Sequence, residues 1–287
     1  MPWMTLPDHH SGERFQSVRC SECGYGYLDP APPPGELEPY YSTNESGASM
    51  RRPQGAIFRQ LQRIAFDRET RILRSKIEPG APILDLGAGD GAMVRYLRSK
   101  GYRAAAADFY APSEWPHAGI PYRQLDLHGG ALAPEALATA NTGIPRAAVM
   151  RHVLEHLHEP GQVIGAIAAA QVEWLYIVVP NCASVLARRF GAYWYYWDPP
   201  RHLQFFERDT LRKMCQRGGF RMEAEGWYGI DEIVTSAYRR ALLSPSLPAR
   251  GIVVSLTRPK GILAGAVSAL SAPWGKAVCW ILARRQT

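Results

Sequence analysis

The sequence predicts an α/β fold: a doubly wound, mostly parallel sheet with helices on both faces, an N-terminal extension and a C-terminal helical insertion. Three observations predict it. Short apolar runs alternate with segments of helical periodicity, the pattern of repeated βαβ units. The first such run of the sheet, Ile83-Leu84-Asp85-Leu86, feeds directly into Gly87-Ala88-Gly89-Asp90-Gly91. Acids then close the next two runs, at Asp108 and Asp126, on the side of a parallel sheet where ligands bind.

Residues 1–50 are rich in Pro, Gly and Ser and contain Cys20-Ser21-Glu22-Cys23-Gly24, half of a zinc knuckle. His9-His10 upstream makes a Cys₂His₂ site conceivable, but the spacing is unusual, so the expectation is a degenerate knuckle. Asp29-Pro30-Ala31-Pro32-Pro33-Pro34 is a stiff spacer, and Tyr40-Tyr41 beyond it is a candidate lid. Apolar residues keep helical spacing from Ile57 to Lys76, and Pro79-Gly80 ends that helix. Further strands are expected at Tyr102–Phe109, Tyr122–Leu127, Ala147–Arg151 and Trp174–Val179, with helices at Met93–Lys100 and Gln162–Gln171. Beyond the aromatic stretch Tyr193–Trp197, a helix at Arg208–Arg217 leads through Gly218-Gly219 into a strand at Phe220–Trp227. Ala277–Ala283 reads as a last strand. The domain reading is therefore an extension over 1–50, a core over 51–228, a helical insertion or acceptor lid over 229–276, and a final strand and tail over 277–287.

The chain has 287 residues, enough for one large α/β domain with additions, and its 46% hydrophobic content fits a full core. Five cysteines with one close pair exclude a disulfide scaffold and suit a reducing cytoplasm. The N-terminus shows no basic stretch followed by an apolar core, so no secretory signal is expected. Gly261–Ala283 comes nearest to a membrane span, but Pro273 and Lys276 interrupt it, which leaves a peripheral membrane contact as the lesser alternative. A net charge of +7 favours acidic partners, although much of it comes from arginines around the Ile57–Lys76 helix, where a solvated face accounts for it.

Glycine at alternate positions lets the backbone turn tightly and a ligand approach it. A polyphosphate loop needs Lys-Ser/Thr after the glycines, whereas Ala92-Met93 stands there, and a dinucleotide loop places its third glycine one residue later. An acid at Asp108 suits two ribose hydroxyls and repels a 2′-phosphate, which argues against NADP.

The turn Asp85–Gly91 resembles the first motif of the class I S-adenosylmethionine (SAM) methyltransferases. His152-Val153-Leu154-Glu155-His156-Leu157-His158-Glu159-Pro160 is similar to the LEHL-type signature of their small-molecule subfamily. Val179-Pro180-Asn181, Trp197-Asp198-Pro199-Pro200-Arg201-His202-Leu203, Phe205-Phe206 and Gly218-Gly219-Phe220 match in the same order, as does the N-terminal CxxCG knuckle. The resemblance spans residues 15–228 and implies a Rossmann-like, seven-stranded sheet. It implies SAM as cofactor, held by Asp85, Gly87, Ala88, Gly89, Asp108, Phe109, Asp126, Leu127, Arg151 and His152. The implied reaction is methylation of a small-molecule or sugar-containing metabolite, on oxygen in preference to carbon or nitrogen.

An oxygen nucleophile gains from a base, and His156 and His202 are the candidates for catalysis. His152, Glu155 and His156 stand at i, i+3 and i+4, so with His202 they form a candidate set for a divalent metal. Similar Glu-x-x-Glu-His clusters bind metal in some ubiquinone-pathway O-methyltransferases and small-RNA 2′-O-methyltransferases, but His152 replaces the first Glu here. Cys20 and Cys23 are the weaker metal candidates. The alternatives are an RNA 2′-O-methyltransferase, against which no RNA-binding module is found, and a SAM-binding accessory subunit without turnover. For the aromatic stretch, packing is expected for most residues and substrate contact for one or two. Arg201 and Arg188-Arg189 are read as solvated, with an acidic acceptor as their other use.

Overall fold

The computed structural model describes residues 1–42, 56–109, 119–128, 132–138, 143–228 and 277–286. The strands are β1 (Pro2–Pro7), β2 (Arg14–Arg19), β3 (Gly26–Leu28), β4 (Pro82–Leu86), β5 (Arg103–Asp108), β6 (Tyr122–Gln124), β7 (Ala147–Arg151), β8 (Trp174–Pro180), β9 (Gln204–Phe205), β10 (Phe220–Tyr228) and β11 (Val278–Arg285). The helices are α1 (Pro34–Ser42), α2 (Ala56–Arg74), α3 (Ala92–Ser99), α4 (Pro160–Ala169), α5 (Val185–Phe190) and α6 (Arg208–Arg217). Among the described residues no helix is long and apolar enough to cross a membrane.

A seven-stranded sheet has the order β10-β11-β8-β7-β4-β5-β6. The pairs β8–β7, β7–β4, β4–β5 and β5–β6 are parallel, as the βαβ alternation predicts. All seven residues of β8 are buried, the continuous apolar run of a strand covered on both faces. Ala104–Ala107 fill β5, against alanine's ordinary reluctance to form strands; all four are buried, and small side chains let covering elements approach closely.

Two expectations shift. The third strand stops at Gln124, short of Leu127, because Asp126 Oδ1 accepts from the His128 amide at 2.8 Å and bends the chain there. The segment from Gly261 to Ala283 is partly strand, β11 beginning at Val278; residues 229–276, where the insertion is expected, lie outside the described residues.

The described residues divide into two compact units. One gathers those of Met1–Thr43, Val179–Leu211 and Gly226–Trp280; the other gathers those of Asn44–Val178, Arg212–Glu225 and Ile281–Thr287. In the first unit β1, β2, β3 and β9 form an antiparallel sheet, so the N-terminal segment is strand-built and takes its fourth strand from the stretch after His202. Its core is aromatic. Trp197 meets Trp3, Trp194 and Phe205 edge-on with ring centroids 5.0–5.2 Å apart. Trp194 and Trp197 are therefore packing residues, while Tyr193, Tyr195 and Tyr196 stay partly exposed.

Candidate functional site

Parallel register brings the expected cofactor residues to one edge of the sheet. Asp85 pairs with Ala106 and Val149, Asp108 with Gln124, and Arg151 with Val178, so the carboxyl ends of β4 to β7 lie side by side. The turn after β4 is held by the amides of Gly87 and Ala88, both donating to the Ala107 carbonyl at 2.8 and 3.2 Å. Gly87 takes φ +71, and a Cβ there would stand 2.3 Å from Val153 Cγ2, so both backbone and space require glycine.

Asp108 is fixed by the same turn. Its Oδ2 accepts from the Gly89 amide and its Oδ1 from the Phe109 amide, each at 2.7 Å. A carboxylate held at a strand end in this way is the kind of acceptor that a pair of ribose hydroxyls donates to. The Phe109 ring next to it is 59% exposed, a flat apolar surface at the strand end. Asp126 is exposed two residues past β6, and Leu127 is buried.

Asp85 is buried, and no hydrogen bond to its side chain is found among the described residues. Burial raises its carboxyl to about 7; Asp108 and Asp90 add to the rise and the Arg151 charge opposes it. A buried carboxylate without hydrogen-bond donors fits an incoming cation such as the ammonium of an amino-acid moiety. The residues present therefore suit a ligand with an amino-acid end and a ribose, both of which SAM carries.

Arg151 is turned toward α2: Nε donates to Glu69 Oε2 at 2.7 Å and the guanidinium lies 4.9 Å from the Phe66 ring centre. Its side chain anchors the helix. His152 follows with a left-handed φ of 54°, rare for a residue with a Cβ and a mark of imposed geometry. Its Nδ1 lies 3.3 Å from Glu155 Oε1. Leu154–His156 form one 3₁₀ turn, and Glu155 is buried while His156 is partly exposed.

His202 belongs to the other unit. Its Nδ1 lies 2.8 Å from the Tyr196 carbonyl. A carbonyl only accepts, so Nδ1 carries the proton, and Nε2 is the basic nitrogen of the neutral ring. Arg201, read from the sequence as solvated, is buried, because Asp8 and Asp198 both pair with it. Neither the Asp8-His9-His10 stretch nor Arg201 carries a local pattern that announces this; the only signal is the i, i+3 spacing of Asp198 and Arg201. Cys20 and Cys23 lie in the turn between β2 and β3, where the Gly24 amide donates to the Cys20 carbonyl at 3.0 Å. Among the described residues neither belongs to a group of three or more side chains placed to share an ion. His9 and His10 instead face one another, ring centres 3.8 Å apart.

Residues 56–225, more than half of the chain, match the family described as the methyltransferase domain. No curated protein matches the sequence. Among solved structures, the chain is similar to the 1,6-didemethyltoxoflavin-N1-methyltransferase of Burkholderia thailandensis at 16% identity and a TM-score of 0.53, covering 96% of this chain and 97% of that one. A SAM-dependent methyltransferase from Archaeoglobus fulgidus aligns at 14% identity and TM-score 0.51, over 79% and 94% of the two chains. The magnesium protoporphyrin IX methyltransferase of Synechocystis PCC 6803 aligns at 12% identity and TM-score 0.51, over 88% and 99%. Sheet order and family match agree: the chain belongs to the methyltransferase domain family and has the Rossmann-like class I fold of these enzymes.

Proposed function

We propose that this enzyme transfers a methyl group from SAM to a hydroxyl of a small-molecule or sugar-containing metabolite. The observation that carries the cofactor is the buried Asp85 beside the glycine turn that also orients Asp108. Asp85 receives the ammonium, Asp108 the ribose hydroxyls, Phe109 and Leu127 the adenine faces and Asp126 its amino group. SAM, when bound, supplies a methyl group on an electrophilic sulfonium. A small acceptor is supported by the Burkholderia thailandensis enzyme, solved with 1,6-didemethyltoxoflavin and S-adenosylhomocysteine bound.

His202 suits the role of base: with Nδ1–H committed to the Tyr196 carbonyl, Nε2 takes the acceptor's hydroxyl proton as the new carbon–oxygen bond forms. His156 is the second candidate. Screening metabolite extracts with methyl-labelled SAM tests the reading and finds the acceptor. His156→Ala or His202→Ala should lower transfer by about 10²-fold or more while SAM affinity stays unchanged. Unchanged product formation in both would indicate an accessory subunit or another base. Metal analysis of protein purified without a His tag tests whether His152, Glu155, His156 and His202 hold a divalent ion; no stoichiometric metal ends that reading.

One observation favours an RNA 2′-O-methyltransferase as second reading. Arg63, Arg68 and Arg71 of α2 line a groove of about 640 Å³ with Tyr96 and the Asp67–Lys100 ion pair, leaving a net positive lining. Nuclease-sensitive co-purification of RNA, weakening steeply with salt, would support it; a salt-insensitive small ligand would support the first reading.

A further inference from the structure

Arg201 is 2% exposed, and distant stretches of the chain converge on it. Its Nη2 donates to Asp8 Oδ1 at 2.6 Å, across 193 residues of sequence, and to Asp198 Oδ1 at 2.9 Å. Nε donates to Asp198 Oδ2 at 3.0 Å, completing a forked pair, and Nη1 donates to the Tyr40 carbonyl in α1 at 3.3 Å. His9 Nδ1 stands 3.3 Å from Asp198 Oδ1. On its far side Asp8 Oδ2 accepts from the Ser11 amide and hydroxyl at 2.9 and 2.8 Å. Burial alone would raise the Asp8 carboxyl, but Ser11 and Arg201 outweigh it and hold it below its ordinary value.

Burying the Arg201 guanidinium against the buried Asp8 and the partly exposed Asp198 gains little stability over apolar packing of the same volume. What such a cluster does well is fix geometry, and the geometry it fixes is that of His202. Asp198 takes a left-handed φ of 40°, and its carbonyl accepts from the His202 amide at 2.9 Å. The turn clamped by Arg201 thus sets the backbone of His202, and the Tyr196 carbonyl then holds its ring. We propose that Asp8 and Arg201 are positioning residues for His202. The N-terminal extension is on this account part of the acceptor-side machinery: it delivers the carboxylate that locks Arg201 onto Asp198. The inference rests on His202 acting as the base.

The test is ¹⁵N-histidine spectroscopy of the full chain, with the His202 ring assigned from the signals missing in His202→Ala. The wild-type ring should be a single Nδ1–H tautomer. Asp8→Asn keeps the shape of the side chain and removes its charge; Arg201→Lys keeps the charge and removes the fork. Both should turn the single tautomer into a mixture. With the acceptor from the labelled-methyl screen, both should lower kcat by about tenfold or more, with the SAM Kd unchanged within about twofold. A folded Asp8→Asn with the wild-type tautomer overturns the proposal; if Asp8→Asn does not fold, the wild-type tautomer in Arg201→Lys does so. Failure of the base assignment shows separately, as a His202→Ala enzyme that still transfers methyl groups.

Discussion

Asp85 has a folded pKa of about 7 against an ordinary value of 3.8, and burial is the main cause. The sign follows directly. The folded state binds this proton more tightly than the unfolded chain, so the stability it brings is complete below about pH 4 and is lost as pH rises through 7. At about 1.4 kcal/mol per pH unit, the ionised carboxylate costs the ligand-free fold roughly 4 kcal/mol at pH 8. Asp85→Asn should therefore be more stable than wild type at pH 8 and equal to it near pH 4, by urea denaturation. A cation arriving beside Asp85 favours the ionised form and expels the proton. SAM affinity should then tighten by about tenfold per pH unit up to 7 and level off above it. Calorimetry in two buffers of different ionisation enthalpy would count one proton released at pH 6; no release there would mean that Asp85 does not face the cationic end. That Asp85 and Asp108 stand toward the carboxyl ends of neighbouring strands was legible in the sequence, because each follows a short apolar run. Asp8 was not legible: its partner is 193 residues away, and a lone Asp before two histidines has no periodicity to betray its burial.

Between residues and molecule, the decisive unit is the turn from β4 into α3 and its contact with the segment after β7. Gly87 and Val153 meet there, and a methyl group on Gly87 would collide with Val153 Cγ2 at 2.3 Å. Gly87→Ala pays for a left-handed backbone, about 1–2 kcal/mol, and for overpacking of similar size, so a loss of roughly 2–5 kcal/mol is expected. Val153→Ala alone opens a cavity. Combined, the two changes should relieve the collision and leave the backbone strain, giving a favourable coupling of about 1 kcal/mol or more in a double-mutant cycle. Additive losses would show that turn and loop do not touch. At this scale the sequence was a good guide to which elements exist and a weaker one to where they stop. The glycine turn and β8 announce themselves through composition and a continuous apolar run. β6 was expected to reach Leu127, yet the side chain of Asp126 competes for the backbone and turns it. The alanine run of β5 carries almost no strand propensity of its own; the neighbours β4 and β6 impose the conformation.

For the whole molecule, the order of the large sheet sets a condition on folding. β11 is last in the chain but stands between β10 and β8, not at an edge. Its side chains are core: Cys279, Ile281, Leu282 and Ala283 are fully buried and Val278 is 3% exposed. Burial of Val278, Ile281 and Leu282 contributes roughly 4.5–9 kcal/mol at 1.5–3 kcal/mol each, which is comparable to the whole stability of a typical domain. Without residues 277–287 β8 also loses one of its two neighbours, leaving a long apolar edge open to other chains. A chain ending at residue 276 should therefore lack a cooperative urea transition and aggregate, although it keeps the glycine turn, Asp108 and both candidate histidines. Adding a synthetic 277–287 peptide should restore a cooperative transition and SAM binding, with a midpoint that rises with peptide concentration by mass action. Ile281→Asp tests the same point at full length: a charge without a partner at a fully buried position should abolish the transition at neutral pH. A cooperative transition with retained SAM binding in the chain ending at residue 276 would show that the sheet forms without β11, and that its place between β10 and β8 does not govern stability.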